Sequence, residues 1–182
     1  MTALALLMTV AGCGVPSERS PQPIAVADGR PSATTGARTA SPAPGEPVEL
    51  LYLVRNARLV AVRRAAEQLP AIDDQMQHLL SGPTARERDD GYVGALTGIT
   101  VIGVTLHGAT AAVEVGDRSD VAGRSDEVLA YGQIVCTLTS RADVDAVAFL
   151  HDGQPLRVPR ADASLADGQL TSADYAELVL PS

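Results

Sequence analysis

The 182-residue chain predicts an α+β fold: a two-layer sandwich in which two main helices cover one face of an antiparallel-rich sheet, placed after a disordered, proline-rich tether. Three observations lead there. Residues 14–47 hold seven of the 12 prolines and show no hydrophobic period, so they cannot bury enough apolar surface to offset their ordering entropy. From Val48 onward the apolar spacing alternates between the period of a strand and that of a helix, in the order strands, helix, strands, helix, strands. The 135 residues from Val48 to Ser182 are enough for one core.

The elements follow in order. Val48-Glu49-Leu50-Leu51-Tyr52-Leu53-Val54 is β-rich, and Asn56-Ala57-Arg58 turns it into Leu59-Val60-Ala61-Val62, a hairpin. Between Ala71 and Leu80, Ile72, Met76, Leu79 and Leu80 fall on one helical face. Ser81-Gly82-Pro83 stops that helix, because Gly tolerates a left-handed cap and Pro cannot continue. Val101 to Leu106, a His107-Gly108 turn and Ala111 to Val115 form a second hairpin, in which Gly103 marks a bulge or close packing. The second helix is expected to start at Ser125, capped by its hydroxyl. Asp126 and Glu127 suit its positive end. Its apolar face is Val128, Tyr131, Val135 and Leu138, widened by Leu129 and Ile134. Val144 to Leu150 alternates as a strand, and Asp152-Gly153 turns it toward Leu156-Arg157-Val158. A last short helix is expected from Thr171 or Ser172 through Tyr175 and Leu178.

Charge and composition narrow the function. All 14 basic residues are Arg, so there is no P-loop or Schiff-base lysine. From Val48 onward 11 Arg face 19 acidic side chains, which is the whole of the net −8. Such a domain is self-repelling and lacks the basic field and stacking rings of a nucleic-acid binder; no nucleic-acid partner is expected.

The first 12 residues hold no charged side chain and run to Val10-Ala11-Gly12-Cys13. The run is too short for a membrane-spanning helix, which needs about 20 apolar residues. It suits the apolar region of a secretory signal. Together with the cysteine it resembles the lipobox of a bacterial lipoprotein. The resemblance implies a leader at 1–12 cleaved after Val10, Ala11 and Gly12, lipid on the thiol of Cys13, and attachment to the extracytoplasmic face of the cell membrane. A leader normally opens with Lys or Arg, and the lack of either here points to a translation start further upstream. Residues 13–47 then act as an extended spacer. With Cys13 lipidated, the other cysteine, Cys136, has no disulfide partner in the chain, and its apolar helical setting makes it a buried, inert thiol.

Leu50 to Val54, Leu59-Val60-Ala61-Val62-Arg63-Arg64 and Leu79-Leu80-Ser81-Gly82-Pro83 resemble the opening of a GerMN domain, found in bacterial sporulation and germination proteins and in envelope lipoproteins. The resemblance continues through Val113-Glu114-Val115, Gln133 to Thr139, Val147 to Gly153 and Leu170 to Tyr175, covering most of 48–182. It implies a non-catalytic interaction or assembly module with an envelope protein or cell-wall partner, and it brings no catalytic residue.

The residues themselves point the same way. His78, His107 and His151 are scattered without a His-x-x-x-His or Cys-x-x-Cys partner, so no zinc ligand set is expected. Asp73 and Asp74, adjacent on a helix, point about 100° apart. Arg86-Glu87-Arg88-Asp89-Asp90-Gly91 lacks the alternating ligands of a calcium loop and reads as an exposed loop. No Gly-x-Ser-x-Gly elbow occurs. No catalytic residue, metal or cofactor is expected. The alternative is a ligand- or glycan-binding, less readily hydrolytic, lipoprotein. For that role the candidate surface is Tyr92, the one aromatic outside a core period, with Arg86 and Arg88.

Overall fold

A computed structural model describes residues 47–117 and 124–181. The expected leader, its Val10-Ala11-Gly12-Cys13 motif, most of the tether and the hydroxyl of Ser125 lie outside what is described. The described residues all fall within one compact unit.

The class is the expected one, α+β with antiparallel-rich sheets; among the described residues the strands divide among three sheets. β1 (Val48–Arg55) and β2 (Arg58–Ala65) form the predicted hairpin in full register from Val48↔Ala65 to Arg55↔Arg58. The two-residue turn puts Asn56 and Ala57 at φ of 52° and 56°, the left-handed pair that matches strand twist in such hairpins. Leu51, Leu53 and Leu59 are fully buried, each contributing about 1.5–3 kcal/mol relative to exposure.

α1 (Ile72–Leu80) buries Met76 and Leu79, as its spacing predicts, and also Gln75. It stops at Ser81-Gly82, where Gly82 takes φ 72°. The stretch read as an exposed loop contains instead a short helix, α2 (Ala85–Asp89). Thr84 Oγ1 accepts from Glu87 N at 3.3 Å, and Glu87 Oε2 accepts from Thr84 N at 2.7 Å. That reciprocal capping box, Thr-x-x-Glu, starts a helix where a mixed charge run alone gives no hydrophobic period.

β3 (Val101–His107) and β4 (Thr110–Val115) form the second hairpin, with the register shift at Gly103 that the sequence anticipates. α3 (Arg124–Leu138) then carries the chain to β5 (Ala146–His151), which lies parallel to β4. The expected partner of β5 at Leu156 to Val158 is displaced. β6 is Gln154–Pro155, while β7 (Val158–Pro159) pairs with β8 (Leu165–Ala166) in a separate sheet. Both pairings are two rungs long, and Pro155 and Pro159 have no N–H to donate to them. A 3₁₀ helix, Ser172–Leu178, closes the described chain.

α3 is more than a helix lying on one sheet face. Every residue from Tyr131 to Leu138 is buried, enclosed by β1, β2, β5, β7, α1 and the 3₁₀ helix. Two of its buried side-chain oxygens accept from backbone N–H groups. Thr137 Oγ1 accepts from Tyr52 N at 2.9 Å, and Gln133 Oε1 accepts from Ala95 N at 2.8 Å. Gly132 allows the closest approach, to Tyr175 and Leu59.

Candidate functional site

The side chains singled out by sequence are placed on α2 and the loop after it. Arg86 and Arg88 are exposed, and the Arg88 guanidinium turns back to the carbonyl of Pro83. Tyr92 is half-buried. The Arg55 guanidinium sits 4.7 Å from the centre of its ring, a cation–π contact. The following residue, Val93, is held to Val54 by a pair of backbone hydrogen bonds of 2.9 and 2.8 Å. α2 is locked to β2 by Arg64, whose Nε and Nη2 donate to Glu87 at 3.0 and 2.7 Å while Nη2 also reaches the Gly82 carbonyl. Burial pushes the Glu87 carboxyl up, but the hydrogen bonds from Arg64 and from the Thr84 N–H outweigh it and hold the group below its ordinary value.

A concavity among the described residues lies elsewhere. A groove of about 430 Å³ is lined by Val48, Glu49 and Leu50 of β1, Leu69 and Pro70, Gln75 of α1, and residues 140–143 after α3. Its size falls in the range of small-ligand sites. None of Tyr92, Arg86 or Arg88 lines it, and no aromatic ring does. The polar lining groups are tightly hydrogen-bonded. Gln75 is 3% exposed and donates from Nε2 to the Leu50 carbonyl at 2.9 Å. Arg141 Nη1 donates to the Pro70 carbonyl at 2.9 Å and to Gln75 Oε1 at 3.2 Å. Its Nε and Nη2 grip both oxygens of Asp143 at 2.7 and 2.9 Å, which holds that carboxyl below its ordinary value. The rim is apolar, with Leu69 68% exposed. Within the lining Glu49, buried, accepts from His78 Nδ1 at 2.8 Å; His78 itself stays half-exposed on α1.

Sequence reasoning does not find this groove. Gln75 occupies a core-facing helix position where an apolar residue is the ordinary choice. Arg141 and Asp143 belong to a loop without pattern. Their proximity to Pro70 is a product of the fold alone.

The remaining chemistry is plain. Burial pushes the Cys136 thiol up to about 12, so it is not a thiolate nucleophile at neutral pH. His151 Nδ1 lies 3.0 Å from the Val115 carbonyl. That hydrogen bond, with Asp152, Asp117 and Glu114 nearby, raises the imidazole's pKa. Asp152 and Gly153 take φ of 50° and 70°, which is the strand-end turn the sequence anticipates. Among the described residues no three His, Cys, Asp or Glu side chains converge as a metal cage.

The family described as "Germane: Sporulation and spore germination" matches residues 45–157. This chain belongs to the Germane family. The matched stretch contains every residue lining the groove. Among solved structures, the tandem GerMN domains of the sporulation protein GerM from Bacillus subtilis are 20% identical with a TM-score of 0.54, over 70% of this chain and 47% of that one. This chain therefore spans about half the length of that relative. The first GerMN domain of the same protein is 19% identical, TM-score 0.46, over 69% and 95% of the two chains. A candidate lipoprotein from Clostridium perfringens is 11% identical, TM-score 0.43, over 75% and 94%. Identities this low speak to fold only. No curated protein sequence matches the chain.

Proposed function

We propose that this Germane-family chain is a lipoprotein anchored at the extracytoplasmic face of the cell membrane, whose GerMN domain is a non-catalytic interaction or assembly module for an envelope protein or cell-wall component. The reading is carried by one sequence observation: Val10-Ala11-Gly12-Cys13 stands in front of a proline-rich spacer and then the family domain. In this organisation lipid on Cys13 holds the domain, residues 13–47 set its distance, and residues 48–182 do the recognising. The net −8 of the folded part disfavours direct adhesion to an anionic bilayer, so the lipid supplies the attachment. No helix among the described residues is long and apolar enough to cross a membrane.

Cell fractionation with a Cys13→Ser variant tests the anchor. The wild-type protein is expected with the membranes and the variant in the soluble extracytoplasmic fraction. A variant that stays with the membranes defeats the proposal.

A further inference from the structure

The groove beside Leu69 has the parts of a terminus-binding site. On the side of β1 facing away from β2, Leu50 accepts from Gln75, Tyr52 donates to Thr137, and Val54 exchanges bonds with Val93. Backbone groups of alternate residues thus point outward along this edge. Val48 is next in that series, and it lines the groove. An extended segment lying there gains a backbone rung at Val48 and sets an apolar side chain against Leu69 and Pro70.

At the far wall Arg141 presents its planar fork, a geometry matched to carboxylate. Its side chain is 16% exposed, and its present partner, Asp143, is 50% exposed. The chain's own carboxylate therefore shows what the fork takes. The asymmetry of exposure also makes exchange easy. Arg141 keeps Pro70, Gln75 and a carboxylate throughout, so no buried charge is left unpaired. Asp143 on release is hydrated, and the incoming carboxylate replaces its bidentate pair with one of the same kind.

We propose that this groove binds the carboxyl-terminal end of an extended peptide with an apolar last residue, its terminal carboxylate replacing Asp143 on Arg141. The site deepens the reading of the domain as an interaction module and rests on it. It names the contact: a partner's free C-terminus.

The probe is acetyl-Val-Leu with a free carboxylate, compared with its carboxamide, titrated into the protein while the backbone amides of Val48, Gln75 and Arg141 are followed by NMR. The carboxylate is expected to shift all three and the carboxamide none. Asp143→Asn removes the internal competitor at an exposed position and is expected to tighten binding by a factor of about 2 to 5, the fold equivalent of one weak ion pair. Leu69→Ser, also exposed, is expected to weaken it. The proposal is overturned if neither protein binds the carboxylate, if the carboxamide binds equally well, or if Asp143→Asn leaves affinity unchanged or lower. Those outcomes do not touch the Cys13→Ser fractionation, which decides the anchored-module reading separately.

Discussion

Replacing Gly132 with alanine separates two effects of opposite sign. Gly132 lies inside α3, where alanine is favoured over glycine by about 1 kcal/mol on helix propensity. On helix propensity alone, Gly132→Ala stabilises. The tertiary structure says otherwise. A Cβ built there lies 2.8 Å from Tyr175 Cδ1 and 2.9 Å from Leu59 Cδ1, with Tyr175 Cγ at 3.2 Å. Carbon atoms rest at about 3.5–4.0 Å, so two contacts are short by more than half an ångström. Neither neighbour can withdraw cheaply. Tyr175 and Leu59 are both 0% exposed. The Tyr175 hydroxyl donates to the Pro159 carbonyl at 2.7 Å, and the Leu59 carbonyl accepts from Leu180 N at 2.9 Å. Overpacking of this kind costs about 1–3 kcal/mol, and two simultaneous overlaps place it near the top of that range. Subtracting the helix gain leaves a net loss of about 2 kcal/mol. For a domain of this size that lowers Tm by about 6–8 °C. Thermal and urea unfolding followed by circular dichroism measure both quantities. A variant as stable as the parent, or more so, refutes the close packing of α3 on Tyr175.

Two further predictions concern ionisation. Glu87 has a folded-state pKa below its ordinary value of 4.5, so its contribution is complete above that value and is lost as pH falls through the lowered one. Glu87→Gln is expected to lower the unfolding free energy measured with urea at pH 7 by about 1 kcal/mol, for a partly buried bidentate pair, and to make the gap to the parent shrink by pH 3; an equal gap at both pH values defeats this. In the Cys13→Ser background, Cys136 is expected to resist a thiol reagent in the folded protein and to react fully in urea, because burial both shields the sulfur and holds its proton. Rapid labelling of the folded chain is the contrary result.

Much of the fold was legible because it is written locally. The β1–β2 hairpin follows from alternation interrupted by Asn56-Ala57, and the end of α1 from Ser81-Gly82-Pro83. The bulge at Gly103 and the turn at Asp152-Gly153 depend on residues whose backbone preferences do not need the rest of the chain. α2 was readable in principle from Thr84-x-x-Glu87, and the charge run around it masked the cap. The pairing of Val158–Pro159 with β8 rather than β5 was not readable. Strand partners depend on contacts distant in sequence, and proline only forbids ladders without choosing among the others.

By itself the amino-acid sequence showed an apolar start ending in a small-residue cysteine motif, a proline-rich stretch, and an acidic α+β region of the Germane type. Each is a property of composition or local period, which survives without knowing what touches what. Only the tertiary structure decided that α3 is enclosed from Tyr131 to Leu138, that Gly132 is needed for packing rather than flexibility, and that a groove lies between β1, α1 and the turn after α3. Arg141 is 66 residues from Gln75 and 71 from Pro70. No spacing rule brings them together; burial of the helix between them does, and with it the fork of Arg141 comes to face a carboxylate.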